Sequence, residues 1–181
     1  MYQSRDFGEL EPLVFNILRT ARPYTDAVVL DIDATVLYNA PGSLCGADLN
    51  VKMQKVYDYC KRHDILVFFV TARVDTPQNQ NVTTQQLQCM GFDTYAGLYM
   101  RPPSVNDWVK ISQFKANCRR QIAQKHKIVL NVGDAWSDVH EVTDSKSLTN
   151  AYTLGGGRNI LFKPSDDPTT VWALKLEETR Q

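Results

Sequence analysis

The chain has 181 residues, with 43% apolar, 10% aromatic and 22% charged positions, the composition of a folded globular protein and not of a disordered or fibrous one. Lys plus Arg and Asp plus Glu both number 20, so the formal net charge is zero. That excludes a global electrostatic pull toward nucleic acid or an anionic membrane and leaves room only for a local basic patch.

Residues 1–26, "MYQSRDFGELEPLVFNILRTARPYTD", show no basic segment followed by an apolar stretch, and no run reaches membrane-spanning length. An intracellular, cytoplasmic protein is the expectation. Within this part, residues 7–21 have apolar positions at helical spacing and predict an N-terminal helix. "AVVLDID", residues 27–33, then reads as a strand buried on both faces that ends in two carboxylates, Asp31 and Asp33. "YNAPGSLCGADLN" is a loop, and Asn50 is placed to cap a helix running to about His63. "ILVFFVTA" is a second strand buried on both faces, with Thr71 at its end. "DTPQNQNVTTQQLQCMGF" predicts a loop and a helix ending at Gly91, and "TYAGLYM" a third strand. Residues 106–126 suit a helix, "KIVLNVG" a fourth strand and "NILFKP" a fifth, with a closing helix at about 169–179.

Strands alternating with helices imply right-handed crossovers. The predicted fold class is therefore α/β, a Rossmann-like doubly wound, mostly parallel sheet with helices on both faces. One domain over residues 1–181 is expected, with its core at about 24–165. The four cysteines, Cys45, Cys60, Cys89 and Cys118, are widely separated and form no metal-ligand or redox spacing, so reduced, packed thiols are expected.

A buried, unpaired carboxylate costs several kcal/mol or stays protonated. Asp31 and Asp33 therefore need partners, and the predicted topology supplies them. Thr71 ends the next strand, Lys115 lies in "FKANCRR" on the long helix, and Asp134 and Asp138 follow the fourth strand in "NVGDAWSD". Ligands of such sheets bind beyond the carboxyl ends of the strands.

The order "LDIDATVL", "VTAR", "FKANCRR", "NVGDAWSD" resembles the four motifs of the haloacid dehalogenase (HAD) superfamily. "LYMRP" and the "FKANCRR" helix resemble its acid phosphatase branch, which holds the class B, class C and plant acid phosphatases. The resemblance runs from about Val28 to Val139. It departs at position 34, which is Ala where that branch usually has an acidic residue, and Lys110 competes with Lys115 for the third motif.

The resemblance implies a Mg²⁺-dependent phosphomonoester hydrolase with Asp31 as nucleophile and Asp33 as general acid and base. Thr71 and Lys115 would bind phosphoryl oxygens. The metal would be held by Asp31, the backbone carbonyl of Asp33, and Asp134, with Asp138 and Thr35 in support. Physical chemistry agrees: a transferring phosphoryl group needs charge neutralisation and an aligned attacker, and a covalent intermediate splits one hard step into two.

The short stretch from Tyr38 to Asn50 leaves little room for a cap domain, so an open site is expected. It would admit small phosphomonoesters, nucleoside monophosphates among them. The alternatives are a 3′-phosphatase acting on nucleic-acid ends and a catalytically inactive module on the same fold. Tyr38, Tyr99, Trp108 and Trp136 are candidates to stack on a base. "RRQIAQKHK", residues 119–127, reads as a solvated helix face, and "GGGRN" as a turn that brings Arg158 toward the site. His63, His126 and His140 receive no catalytic role, and no membrane partner is expected.

Overall fold

The computed structural model describes residues 3–38, 45–139, 158–163 and 173–177. The chain runs β1 (Gln3–Asp6), α1 (Phe7–Arg19), β2 (Asp26–Leu30), β3 (Leu37–Tyr38), β4 (Asp48–Leu49), α2 (Val51–Arg62) and β5 (Leu66–Val74). It continues through α3 (Pro77–Cys89), β6 (Gly97–Arg101), α4 (Trp108–Ala123), β7 (Lys127–Gly133), α5 (Trp136–Val139), β8 (Arg158–Lys163) and β9 (Ala173–Glu177).

The main sheet has the order β1-β9-β8-β7-β2-β5-β6. β8, β7, β2, β5 and β6 pair in parallel, and β9 and β1 are added antiparallel at one edge. The mostly parallel α/β sheet is the one expected.

The apolar run of β2 is explained by its two covered faces. Val28 and Leu30 face a core built with Val14 and Leu18 of α1 and Met53, Val56, Tyr57 and Cys60 of α2. Ala27 and Val29 face the other way, with Phe68 and Val70 of β5 and Cys118 and Ile122 of α4. A central parallel strand buried on both sides has no polar face to show in its sequence. Between Asp31 and α2 the described residues form only the two-stranded β3–β4 ribbon, and among the described residues no large cap stands over the strand ends.

Two expectations are corrected. Residues 173–177, inside the predicted closing helix, form a strand that pairs with β8 and β1. "LKLE" alternates apolar and charged residues, and pairing with a strand on each side selects the strand period over the helical one. The cysteine expectation also fails in part: Cys45 and Cys89 are joined in a disulfide with their Cα atoms 5.5 Å apart, while Cys60 and Cys118 are buried free thiols. The bonded pair is 44 residues apart in sequence, so no local spacing announces it.

Closing a loop of 44 residues in the unfolded chain is worth about 4 kcal/mol in the chain-entropy account. The double variant Cys45→Ala/Cys89→Ala is therefore expected to unfold at lower urea concentration, with a loss approaching that value. An unchanged midpoint would contradict a disulfide in the folded protein.

Candidate active site

β2 lies between β7 and β5, the point at which the strand order reverses. In open α/β sheets the crevice at such a switch point binds ligands. Asp31 follows the last residue of β2, and its backbone N–H still donates to the Val132 carbonyl of β7 at 2.9 Å. The chain then turns tightly: the N–H groups of Val36 and Leu37 donate to the Ile32 carbonyl at 2.9 and 3.0 Å. Ala34 takes a left-handed conformation, φ +58°, which costs an L-residue about 1–2 kcal/mol. The turn brings the Thr35 hydroxyl to 3.4 Å from Asp31 Oδ2. Asn50 locks it from outside, donating to the Thr35 carbonyl at 2.8 Å while its Oδ1 caps the first turn of α2.

β7 delivers the second acidic group. Gly133 ends it, and a Cβ there would lie 2.1 Å from Asp138 Cβ, so only glycine lets the strand end and the Asp138 side chain approach this closely. The Ala135 N–H donates to Asp138 Oδ2 at 2.9 Å, which fixes the carboxylate against its own loop. From the side, α4 projects Lys115. Its ammonium donates to Asp31 Oδ1 at 2.8 Å and also to Asp138 Oδ1. All three side chains are buried.

Carboxylate oxygens of Asp31, Asp134 and Asp138 lie within 4.8 Å of one another. Three carboxylates face one ammonium, and the imbalance shows in their acidities. Burial and the Asp138 charge push Asp31 up to about 8, against the pull of Lys115. Burial and Asp138 push Asp134 up to about 6. Burial lowers Lys115, but the charges of Asp138 and Asp31 outweigh it and hold the ammonium above the ordinary lysine value. An all-oxygen donor set with two surplus negative charges fits a hard divalent cation, which would return the carboxylates to their ionised form.

Thr71 is buried in β5, with its hydroxyl oxygen accepting from the Arg73 N–H at 3.2 Å. The strand does not stop there as expected but continues to Val74, with its pairing to β6 interrupted between Thr71 and Val74. Asp33 lies beside the buried cluster, close enough for its charge to act on Asp134. Its side chain is 51% exposed and is gripped by Arg73, whose Nε and Nη2 donate to the two carboxylate oxygens at 2.8 and 2.7 Å.

Of the two competing lysines, α4 buries Lys115 against Asp31, while Lys110 stays exposed and pairs with Asp107 at 3.0 Å. Residues 119–127 are not one solvated helix face: α4 ends at Ala123 and β7 begins at Lys127. Arg119 is buried, four residues beyond Lys115 on the same side, and donates to the Ser137 carbonyl of the Asp134–Asp138 loop at 3.0 Å. The i, i+4 spacing from Lys115 was the available signal for Arg119. Arg73 had none beyond its place in "VTAR". Arg158 opens β8 opposite Leu130, at the end of the strand remote from the site, where Leu161 is the residue opposite Gly133.

Tyr38 stands close enough to the acidic cluster to feel it: burial and the Asp134 charge raise its phenol above the ordinary value. Tyr99 packs toward Phe68 with ring centroids 6.4 Å apart, and Trp108 is exposed at the start of α4. His63 stacks on Tyr59 and His126 faces the Thr25 carbonyl, both away from the cluster. The side chain of Trp136, residues 155–157 of "GGGRN" and His140 lie outside the described residues. Among the described residues no helix is long and apolar enough to cross a membrane.

In fold the chain is similar to the class C acid phosphatase from Bacillus anthracis solved with tungstate bound, with a TM-score of 0.51 and 19% identity over 72% of this chain and 65% of that chain. A chain of the Pnkp1/Rnl/Hen1 complex aligns with a TM-score of 0.49 and 17% identity over 74% of this chain and 42% of that one. A search of curated proteins by sequence finds no match. Residues 46–164, more than half of the chain, match the model of the HAD superfamily, subfamily IIIB (acid phosphatase). That match takes in Thr71, Lys115, Asp134 and Asp138 and begins after the Asp31 turn, and on it the chain belongs to the acid phosphatase subfamily IIIB of the HAD superfamily.

Proposed function

We propose that the chain hydrolyses small phosphomonoesters, nucleoside monophosphates among them, through an aspartyl-phosphate formed on Asp31 with Mg²⁺ bound. The observation that carries this reading is the buried cluster at the switch point, in which Lys115 joins Asp31 to Asp138 with Asp134 alongside.

Asp31, Asp134 and the Asp33 backbone carbonyl would hold the cation, with Asp138 in support. When bound, the cation neutralises charge on the phosphoryl oxygens and keeps the carboxylates ionised. In the first step an Asp31 carboxylate oxygen attacks phosphorus. The bond from phosphorus to the leaving oxygen breaks, and Asp33 gives that oxygen a proton. In the second step a water gives its proton back to Asp33 and attacks the same phosphorus, which frees orthophosphate and restores Asp31. The Thr71 hydroxyl and the Lys115 ammonium hold the non-bridging oxygens.

The Cys45–Cys89 bond bears on the compartment. Such bonds persist where thiols are kept oxidised, which counts against the cytoplasmic expectation.

The test is phosphate release from a panel of p-nitrophenyl phosphate, nucleoside monophosphates and 3′-phosphorylated oligonucleotides, each with Mg²⁺ and with chelator. Release from the small esters, abolished by chelator, is the expected result. A strong preference for the oligonucleotide ends would move the reading to a nucleic-acid 3′-phosphatase, and no turnover on any substrate would point to an inactive module.

A further inference from the structure

Helix α3 is polar almost throughout, "PQNQNVTTQQLQC", yet it buries Thr83 and Gln86 as completely as Leu87. Buried polar side chains cost free energy unless they are hydrogen-bonded. Their partner is Arg73: its Nη1 donates to Gln86 Oε1 at 2.7 Å and to Thr83 Oγ1 at 3.1 Å. The remaining two nitrogens of the same guanidinium form the fork on Asp33. All three nitrogens are thus committed, two to the catalytic carboxylate and one to the helix.

Thr83 and Gln86 are three residues apart and so share one face of α3. The last residue of that helix, Cys89, is bonded to Cys45, which pins α3 to the segment that follows the β3 strand. An exposed ion pair on its own gives little order, because both side chains keep their rotamer freedom. Here the guanidinium plane is fixed from behind, and the carboxylate is oriented from a rigid base.

We propose that Thr83 and Gln86 are positioning residues: through Arg73 they set where the Asp33 carboxyl stands, and with it the enzyme's ability to cleave esters whose leaving group needs a proton. The inference rests on the reading of Asp33 as general acid. Each carboxylate oxygen keeps a second lone pair beyond the one facing Arg73, so the fork leaves room for the transferable proton.

The leaving group separates this from a merely structural role. The value of kcat/KM reports the steps through formation of the phosphoenzyme. An aryl ester such as p-nitrophenyl phosphate expels a stable phenolate and needs no proton there, whereas an alkyl ester such as 2-glycerophosphate does. Gln86→Leu is expected to leave kcat/KM for the aryl ester within about 3-fold and to lower it for the alkyl ester about 30-fold, since a misplacement of order 1 Å can cost about 100-fold. Thr83→Val should show the same split more weakly, and Thr83→Ser, which restores the acceptor, should return to the parent values. If Gln86→Leu does not fold, the Thr83 pair carries the test. Asp33→Asn is the reference and should show the largest split. If Asp33→Asn splits the two esters while the α3 variants lower both equally or neither, the inference is overturned and the Asp33 reading stands. If Asp33→Asn itself shows no split, the general-acid reading fails and takes the inference with it.

Discussion

Asp31→Asn is expected to lower Mg²⁺-dependent hydrolysis of p-nitrophenyl phosphate by roughly 10⁴-fold or more, because losing the proposed nucleophile would disable groups that act as a unit. The amide is nearly isosteric and can still accept from Lys115, so the geometry around it should survive. Stability should not fall with activity. The parent carboxyl is pushed up to about 8 by burial and Asp138. A folded-state value above the unfolded one favours the fold at low pH, and that advantage is lost as pH rises from about 4 through about 8. A neutral side chain has no such loss, so the variant should be at least as stable as the parent near pH 8 without metal. Loss of function with retained or increased stability is the mark of a site whose charges serve chemistry over folding. Equal turnover in parent and variant would remove Asp31 from the role of nucleophile.

Lys115→Met is the second large effect. The ammonium bonds to Asp31 and Asp138 in a buried setting, and removing one partner of such a group costs about 3–5 kcal/mol because the remaining charges are left uncompensated. The cost should depend on pH in one direction. Near pH 5 the raised carboxyls of Asp31 and Asp134 hold protons and need the lysine less. Near pH 8 they are giving those protons up, and the deficit is larger. Urea unfolding at the two pH values, without metal, checks the sign. A larger loss at pH 5 would contradict the ionisation scheme. Activity should fall about 10³-fold, as when a preorganised charge on the transferring group is deleted. Lys110→Met should leave turnover unchanged, since that side chain pairs with Asp107 on the exposed side of α4.

The parts of the fold that position the site are legible in the sequence because they are buried on both faces. "AVVL", "LVFFV" and "IVLNV" read as central strands, and the polar residues that follow them, Asp31, Thr71 and Asp134, mark the edge that carries the candidate site. α2 is legible through its cap, Asn50, and α4 through its length. β1, β9 and the β3–β4 ribbon are not legible: β1 and β9 are short and pair with each other across almost the whole length of the chain, and β3 and β4 carry two residues each. The disulfide is hidden for the same reason.

Within the site, Asp31, Lys115, Asp134 and Asp138 stand out as charged residues at strand ends or on a helix that must face the sheet, and the structure brings them together. The supporting groups do not stand out. Gln86, Thr83 and Arg119 look like ordinary surface residues of polar helices, and only the folded chain shows that their polar atoms are spent on Arg73 and on the Ser137 carbonyl.

The covalent intermediate is the central claim, and trapping it is the most direct test. Asp33→Asn protein, mixed with p-nitrophenyl phosphate and Mg²⁺ and quenched in acid on the millisecond scale, keeps the nucleophile but lacks the base for the second step. The account predicts a burst of nitrophenol equal to the enzyme present, with the phosphoryl group on the peptide that contains Asp31. Nitrophenol and phosphate released in step from the first turnover, with that peptide unmodified, would contradict it.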